Sequence, residues 1–326
     1  TRLQVEHCIT EQTTGIDIVE WMLQLEFGKF SAPKKERVET SGHSIEVRVC
    51  AENPAKEHMP TPGLITFLDF PTNEFIRVDS GVETGYQVPA CYDSLLAKVI
   101  SFGKNRDEAI LHLKTCLEKA QLTGIVSNLE YLKQIICDED FFLARTPTDY
   151  VTKHPFIPQG IEVIDPGLCS TIQDYPGRIG HWKVGVPPSG PMDSFSFQLA
   201  NALVENPLGS PAIEMTAKGA TVLFHESCVA AICGADMQAE LNLKPLKNWS
   251  QFQINKGDVL SFSSVQEKGS RSYLAVQGGF RCPSYLGSCS TFALGAFGGV
   301  HNRPLQAGDQ LQIEKCSKQV VCNTTY

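Results

Sequence analysis

Between His43 and Cys50 apolar and polar residues alternate without a break. Ile45, Val47 and Val49 fall on one side and Glu46 and Arg48 on the other, the period of two expected of a half-buried strand. The opening run Arg2-Leu3-Gln4-Val5-Glu6-His7 alternates in the same way. It predicts a strand with Arg2, Gln4 and Glu6 on its polar face and Leu3 and Val5 toward a core. After Asn105 the period becomes helical. Ala109, Ile110, Leu113, Leu117 and Ala120 form one stripe behind a capping box of Asn105 and Glu108. Ser127 and Glu130 repeat that start signal ahead of Leu132, Ile135 and Ile136, and a further helix is expected over 16–27. The first half therefore reads as α+β.

Past residue 155 the pattern changes. Strands are expected at 161–164, 221–226, 229–233, 258–263 and 271–277, separated by turns such as Asn255-Lys256-Gly257-Asp258 and Gly278-Gly279. One helix is expected over 193–203, with Asp193 as cap and Phe197, Ala200 and Leu203 or Val204 as its stripe. This half reads as a β-rich, barrel-like domain. Pro155, Pro158 and Gly160 interrupt any regular element, so 155–160 is read as a linker between domains at 1–154 and 161–326.

Composition adjusts this picture in a few places. A length of 326 residues fits two domains. With 28 basic and 36 acidic residues the net charge is −8, which argues against a nucleic-acid partner. No apolar run approaches the roughly 18 residues of a membrane span. The chain opens on Thr rather than Met, inside a strand-like run and without a secretory signal, so a segment of a longer cytoplasmic protein is expected. The twelve cysteines form no CxxC, including the close pairs Cys228/Cys233, Cys282/Cys289 and Cys316/Cys322. They are read as buried, reduced thiols rather than as a zinc site. The sequons at Asn248 and Asn323 carry little weight without a secretory signal.

Candidate chemistry lies on the two alternating runs. A cation, an amide and a carboxylate on one face (Arg2, Gln4, Glu6) suit a small oxyanion and the removal of its proton. Glu46 and Arg48 offer similar groups on the second run. From pattern alone, solvated strand faces are the better reading of both.

The order of motifs adds to this. Thr1-Arg-Leu-Gln-Val-Glu-His7, Thr10-Glu-Gln-Thr-Thr-Gly-Ile-Asp17, Gly42-His-Ser-Ile-Glu-Val-Arg48, Ala51-Glu-Asn-Pro54, Pro60-Thr-Pro-Gly63, Asp79-Ser-Gly81 and Tyr92-Asp-Ser94 follow in register. Over about residues 1–150 this resembles the C-terminal portion of an ATP-grasp biotin carboxylase domain. The resemblance implies that Arg2, Gln4 and the backbone of Val5 bind bicarbonate. It implies that Glu6 is the general base that readies bicarbonate for attack on ATP, and that Arg48 stabilises the biotin enolate. His7 is read as structural, and Tyr92-Asp93-Ser94 as support. The glycine-rich nucleotide lid, most adenine contacts and the principal Mg2+ carboxylates of such a domain would lie upstream, so no metal ligands are expected within this segment. The Met-Lys-Met biotin attachment triad is absent from the sequence, which places the carrier domain outside it.

The second half resembles another family. Asp165-Pro-Gly-Leu-Cys-Ser-Thr-Ile-Gln-Asp-Tyr-Pro-Gly-Arg178, Gly185-Val-Pro-Pro-Ser-Gly-Pro-Met-Asp193, Asn201-Ala-Leu-Val-Glu-Asn206, Ala212-Ile-Glu-Met215, Cys233-Gly-Ala-Asp236, Arg271-Ser-Tyr-Leu-Ala-Val276 and Leu286-Gly-Ser-Cys-Ser-Thr291 are similar to the KipA/allophanate-hydrolase-subunit-2 type of carboxyltransferase domain. Joined to biotin carboxylase, that domain marks the urea carboxylase family. The resemblance implies a ligase using ATP, Mg2+, bicarbonate and carrier-bound biotin to turn urea into allophanate, commonly as a homo-oligomer. Asp193, Asp236, Arg271, Ser288 and Ser290 are the candidates for urea contact. A related carboxylase acting on guanidine or another amide is the alternative, as is a 5-oxoprolinase- or KipA-like interaction module beside an inactive carboxylase remnant.

Overall fold

The computed structural model describes residues 2–30 and 38–314. Cys316, Cys322 and Asn323 lie outside the described residues. The chain divides into two compact units, Thr1–Ile157 and Pro158–Tyr326.

In the first unit the principal elements are α1 (His7–Thr14), α2 (Ile18–Glu26), β1 (His43–Cys50), β2 (Ile76–Ser80), β3 (Leu95–Gly103), α3 (Arg106–Lys119) and α4 (Leu129–Ile136). The three strands form an antiparallel sheet in the order β1-β3-β2. Gly42 enters β1 at φ +69°, and a Cβ there would stand 2.5 Å from the Phe102 ring, so the tight approach requires glycine. The alternation predicted for β1 sorts the sheet into two unlike faces. Ile45, Val49, Ile76 and Val99 on one face pack against Ala109, Ile110, Leu113 and Leu117 of α3, with Leu132 and Ile136 of α4 closing the core. The opposite face carries Glu46 and Arg48 on β1, Lys98 on β3, and Arg77 and Asp79 on β2, and α1 lies against it. The Asn105 carboxamide caps α3 by accepting from the Glu108 amide at 2.9 Å, while Glu108 reaches back to the Lys104 amide at 2.9 Å.

Three expectations are corrected. Residues 2–6 form no strand. His7 N–H bonds back to the Gln4 carbonyl at 3.3 Å, and the chain turns through Val5 and Glu6 straight into α1. Without a neighbouring strand to pair its backbone, the run closes its own hydrogen bonds locally. Its side chains still alternate in exposure, since Arg2, Gln4 and Glu6 are more open than Leu3 and Val5. At α4 the cap position belongs to Asn128, which makes no capping bond. Its amide is used on β1 instead, accepting from Cys50 N at 2.8 Å and donating to Arg48 O at 3.0 Å. The thiols are not uniformly buried: Cys8, Cys116 and Cys233 are, whereas Cys91 and Cys137 are exposed, and every described cysteine is free.

The second unit contains β4 (Ile161–Asp165), β5 (Cys169–Gln173), α5 (Ser194–Leu203), β6 (Ala212–Thr216), β7 (Thr221–Phe224), β8 (Cys228–Gly234), β9 (Glu240–Leu241), β10 (Lys244–Pro245), β11 (Ser250–Ile254), β12 (Val259–Ser261), β13 (Arg271–Val276) and β14 (Gln310–Leu311). A six-stranded sheet runs β10-β9-β12-β7-β4-β14 and a five-stranded sheet runs β5-β6-β13-β8-β11. Ile161, Val163, Val222 and Phe224 of the first share a core with Ile172, Ile213, Ile232 and Leu274 of the second. The unit is thus β-rich, but among the described strands neither sheet closes into a barrel: stacking one sheet on the other buries the apolar faces instead. Helix α5 covers the outer face of the five-stranded sheet, where Phe197 meets Tyr273 edge-on at 5.7 Å.

Leu113 is fully buried at the centre of the α3 contact. Leu113→Ala is expected to lower stability by about 2–5 kcal/mol in denaturant unfolding. A loss well under ~1 kcal/mol would contradict the packing described.

Candidate active site

The turn that delivers Glu6 is held from below. Lys98 Nζ, nearly buried on β3, donates to the Val5 carbonyl at 3.2 Å and to Cys8 Sγ at 2.9 Å, and stands 3.3 Å from Asp79. The Cys8 thiol donates to Asp79 at 3.2 Å. Arg77 ties Asp79 to Glu11 of α1, with bonds of 2.8 and 2.9 Å. These contacts fix α1 on the charged face of the sheet. Burial alone pushes Asp79 up, but its bonds from Arg77, Cys8 and Lys98 outweigh that and hold the carboxyl down at about 2. Burial likewise disfavours the Lys98 cation, yet the bonds to Cys8 and Asp79 win and keep it charged above the ordinary lysine range. Burial raises the Cys8 thiol, keeping it neutral.

Glu6 occupies the cap position of α1, but its side chain makes no cap bond. It accepts instead from Arg48 Nη2 at 2.9 Å, with both side chains about half exposed. An open cleft of about 520 Å3 is lined by Arg2, Gln4, Glu6, His7, Thr10 and the apolar side chains of Leu3, Ile18 and Met22. His7 Nδ1 lies 3.0 Å from the Gln4 carbonyl. The structure therefore gathers Arg2, Gln4 and Glu6 in one cleft, and brings Arg48 to it through Glu6. The backbone of Val5 sits in the turn that Lys98 anchors. A planar anion entering this cleft would meet a fork-shaped cation, an amide and a carboxylate able to take its proton.

Sequence reading missed three supports of this site. Lys98 is a lone charge in the apolar run Leu95–Gly103, and such a charge needs a buried partner. Asn128 braces the backbone on both sides of Val49, where the pairing of β1 with β3 slips register. Glu46 is noted in the sequence as a polar strand position, but its side chain is only 3% exposed. Ser94, read as support, does bond Glu52.

Of the residues proposed for urea contact, Asp193 and Arg271 meet the same pair of side chains, since the Asp193 amide donates to the Tyr273 hydroxyl at 2.8 Å and Tyr273 bonds the Glu214 that faces Arg271. Asp193 caps α5, accepting from Phe195 N and Ser196 N at 3.1 Å each. Asp236 shapes a turn by accepting from Gln238 N at 2.8 Å. Arg271, on β13, faces Glu214 at 3.6 Å, and Glu214 also accepts from the buried Tyr273 hydroxyl at 2.8 Å. Ser288 and Ser290 are buried, and both hydroxyls donate to Asp174. Beside them Arg178, 1% exposed, donates to the carbonyls of Tyr285 and Ser290 at 2.9 Å each. These two serines therefore build the loop rather than presenting free hydroxyls.

Comparison with known proteins matches this division. The family described as "Biotin carboxylase C-terminal domain" matches residues 46–153. The "Carboxyltransferase domain, subdomain A and B" family matches 184–324, and the "Carbamoyl-phosphate synthase L chain, ATP binding domain" family matches 1–30. The chain thus combines biotin carboxylase and carboxyltransferase sequence. Along nearly its whole length it is a homologue of urea amidolyase and urea carboxylase. It is 45% identical to the urea amidolyase of Lachancea kluyveri, over 96% of this chain and 17% of that protein. The crystal structure of the K. lactis urea amidolyase superposes with a TM-score of 0.91 at 42% identity, over 98% of this chain and 19% of that one. The Kluyveromyces lactis urea carboxylase structure gives the same TM-score and identity, over 98% of this chain and 28% of that one. The chain spans less than a fifth of the length of the urea amidolyases it matches.

The depressed Asp79 sets a direction for acid sensitivity. Its folded-state value lies below the ordinary carboxyl value, so its stabilisation is present above about pH 4 and is lost as pH falls toward 2. Asp79→Asn is expected to flatten the fall in urea midpoint between pH 4 and 2 relative to the parent. Parallel profiles for the two proteins would contradict the network.

Proposed function

We propose that this chain is the central portion of a biotin-dependent urea carboxylase. Residues 1–154 are assigned to the C-terminal part of its biotin carboxylase domain, 155–160 to the linker, and 161–326 to the N-terminal part of its carboxyltransferase domain. The whole enzyme, a cytoplasmic homo-oligomer in this reading, would convert ATP, bicarbonate and urea to allophanate. The observation that carries the proposal is the Glu6–Arg48 pair at 2.9 Å beside the cleft of Arg2 and Gln4. Homology to urea amidolyase across both halves supports it.

When bound, ATP with Mg2+ supplies the energy that activates bicarbonate, and carrier-bound biotin accepts and delivers the CO2 unit. Arg2 and Gln4 orient the bicarbonate, with the Val5 backbone held close by Lys98. Glu6 takes its proton. Arg48, already bonded to Glu6, offers a fixed cation for negative charge developing on a ureido oxygen, so the pair fits the carrier's chemistry. The described residues do not fit Mg2+. One candidate cluster, His7, Cys8 and Glu11, includes a thiol engaged with Lys98 and a carboxylate engaged with Arg77. The other, Asp138, Asp140 and His154, lies away from the cleft residues in sequence, and its Asp138 accepts from Tyr150 at 2.7 Å. A hard cation seeks oxygen ligands free to bind it, so neither of these two clusters is assigned Mg2+.

The test uses the full-length protein that carries this segment. Glu6→Gln and Arg48→Ala are each expected to cut bicarbonate-dependent, urea-stimulated ATP cleavage by about 10²–10⁴-fold. Stimulation by guanidine in place of urea would reassign the substrate. Turnover with urea that neither variant reduces would refute the site.

A further inference from the structure

A second carboxylate lies beneath the proposed base. Glu46 points from the same face of β1 as Arg48, two residues away, and its side chain is 3% exposed. One oxygen, Oε1, stands 4.0 Å from Arg48 Nε, while Oε2 is buried with no hydrogen-bond partner. A buried carboxylate oxygen left unpaired is costly, and such groups beside a functional site are commonly retained for function rather than for stability. The groups facing it are Arg48 on its own strand, Lys98 on β3, and Glu6 and His7 from the turn and α1. Lys98 is committed to Val5, Cys8 and Asp79. Arg48 is therefore the cation with capacity to spare, and it lies between two carboxylates, one exposed and one buried.

We propose that Glu46 is a positioning residue that shares the Arg48 guanidinium with Glu6, so that Arg48 stays in the site when Glu6 takes a proton. The inference rests on the assignment of Glu6 as base. While Glu6 is ionised, Arg48 bonds it at 2.9 Å and Glu46 is the distant partner. Protonation of Glu6 removes its hold on Arg48, and Glu46 becomes the counter-ion that keeps the guanidinium at the cleft, turned toward the next charge to develop. Burial raises Glu46 itself, and the neighbouring cations Lys98 and Arg48 oppose that rise. No proton or bond need pass through Glu46 for this role. It sets where Arg48 stands.

The experiment is the steady-state kinetics of bicarbonate- and biotin-dependent ATP cleavage in the full-length protein, with kcat and KM for ATP measured for each variant and its parent. Glu46→Gln keeps the shape and removes the charge. It is expected to lower kcat about tenfold while leaving KM for ATP unchanged, the mark of a group that positions Arg48 rather than one that binds nucleotide. In an Arg48→Ala background the same substitution is expected to cost far less than in the parent, since the shared cation is gone. A parental kcat in Glu46→Gln would overturn the inference. If that variant does not fold, Glu46→Asp decides: it retains the charge but withdraws it from Arg48, so a reduced kcat with parental KM for ATP supports the role and a parental kcat overturns it. Glu6→Gln and Arg48→Ala serve as controls. If they leave turnover intact, the assignment of the base fails; if they abolish it and the Glu46 variants behave as the parent does, only the present inference fails.

Discussion

Two cations face each other across adjacent strands. Arg48 on β1 and Lys98 on β3 are register partners, an arrangement that is unfavourable unless carboxylates separate their demands. The sheet supplies them asymmetrically. Lys98, the more buried of the two, is neutralised by Asp79 on β2 and donates to the Val5 turn. Arg48, the more exposed, is left to Glu6 and Glu46. One cation thereby holds the backbone of the proposed bicarbonate site and the other stands beside its proposed base. The opposite face of the same three strands is apolar and packs on α3 and α4, so the charged face is backed by a rigid core. Asn128 joins the two layers, using the start of α4 to hold the backbone on either side of Val49.

Much of the first unit was legible because local signals and tertiary demands agree. β1 alternates because one of its faces is core, and α3 begins where Asn105 caps it. The opening run misled for a physical reason. Alternation reports which side chains meet the protein and which meet solvent, and at Arg2–Glu6 that contrast is real. A strand also needs a partner for its backbone, which a pattern of side chains does not reveal. The start signal read at Ser127 stands one residue early: the cap position falls to Asn128, whose amide serves a strand 78 residues away in sequence. Of the site itself, Arg2, Gln4, Glu6 and Arg48 could be named from the motifs, whereas Lys98 and the burial of Glu46 depend on strand pairing.

The second unit shows the limit of motif reading more plainly. Polar residues in glycine- and serine-rich loops look free, but a loop packed on a sheet must satisfy its own backbone and side chains. Ser288 and Ser290 do so through Asp174, and Arg178 closes the loop carbonyls behind them. Asp193 caps α5, as its position before a helical stripe allowed. Arg271 retains a less committed side chain, held loosely at 3.6 Å from Glu214. Glu214 itself lies in a strand whose other residues are mostly buried and apolar, so its pairing was invisible without the sheet order.

The central claim is that Lys98 builds the bicarbonate site without touching bicarbonate. The most direct test is bicarbonate binding and the KM for bicarbonate in the full-length protein carrying Lys98→Met. The variant keeps a side chain of similar length and removes the charge that holds Val5. The account predicts a rise of about tenfold or more in KM for bicarbonate with KM for ATP unchanged, in a protein that remains folded. A folded variant that binds bicarbonate as the parent does would contradict it.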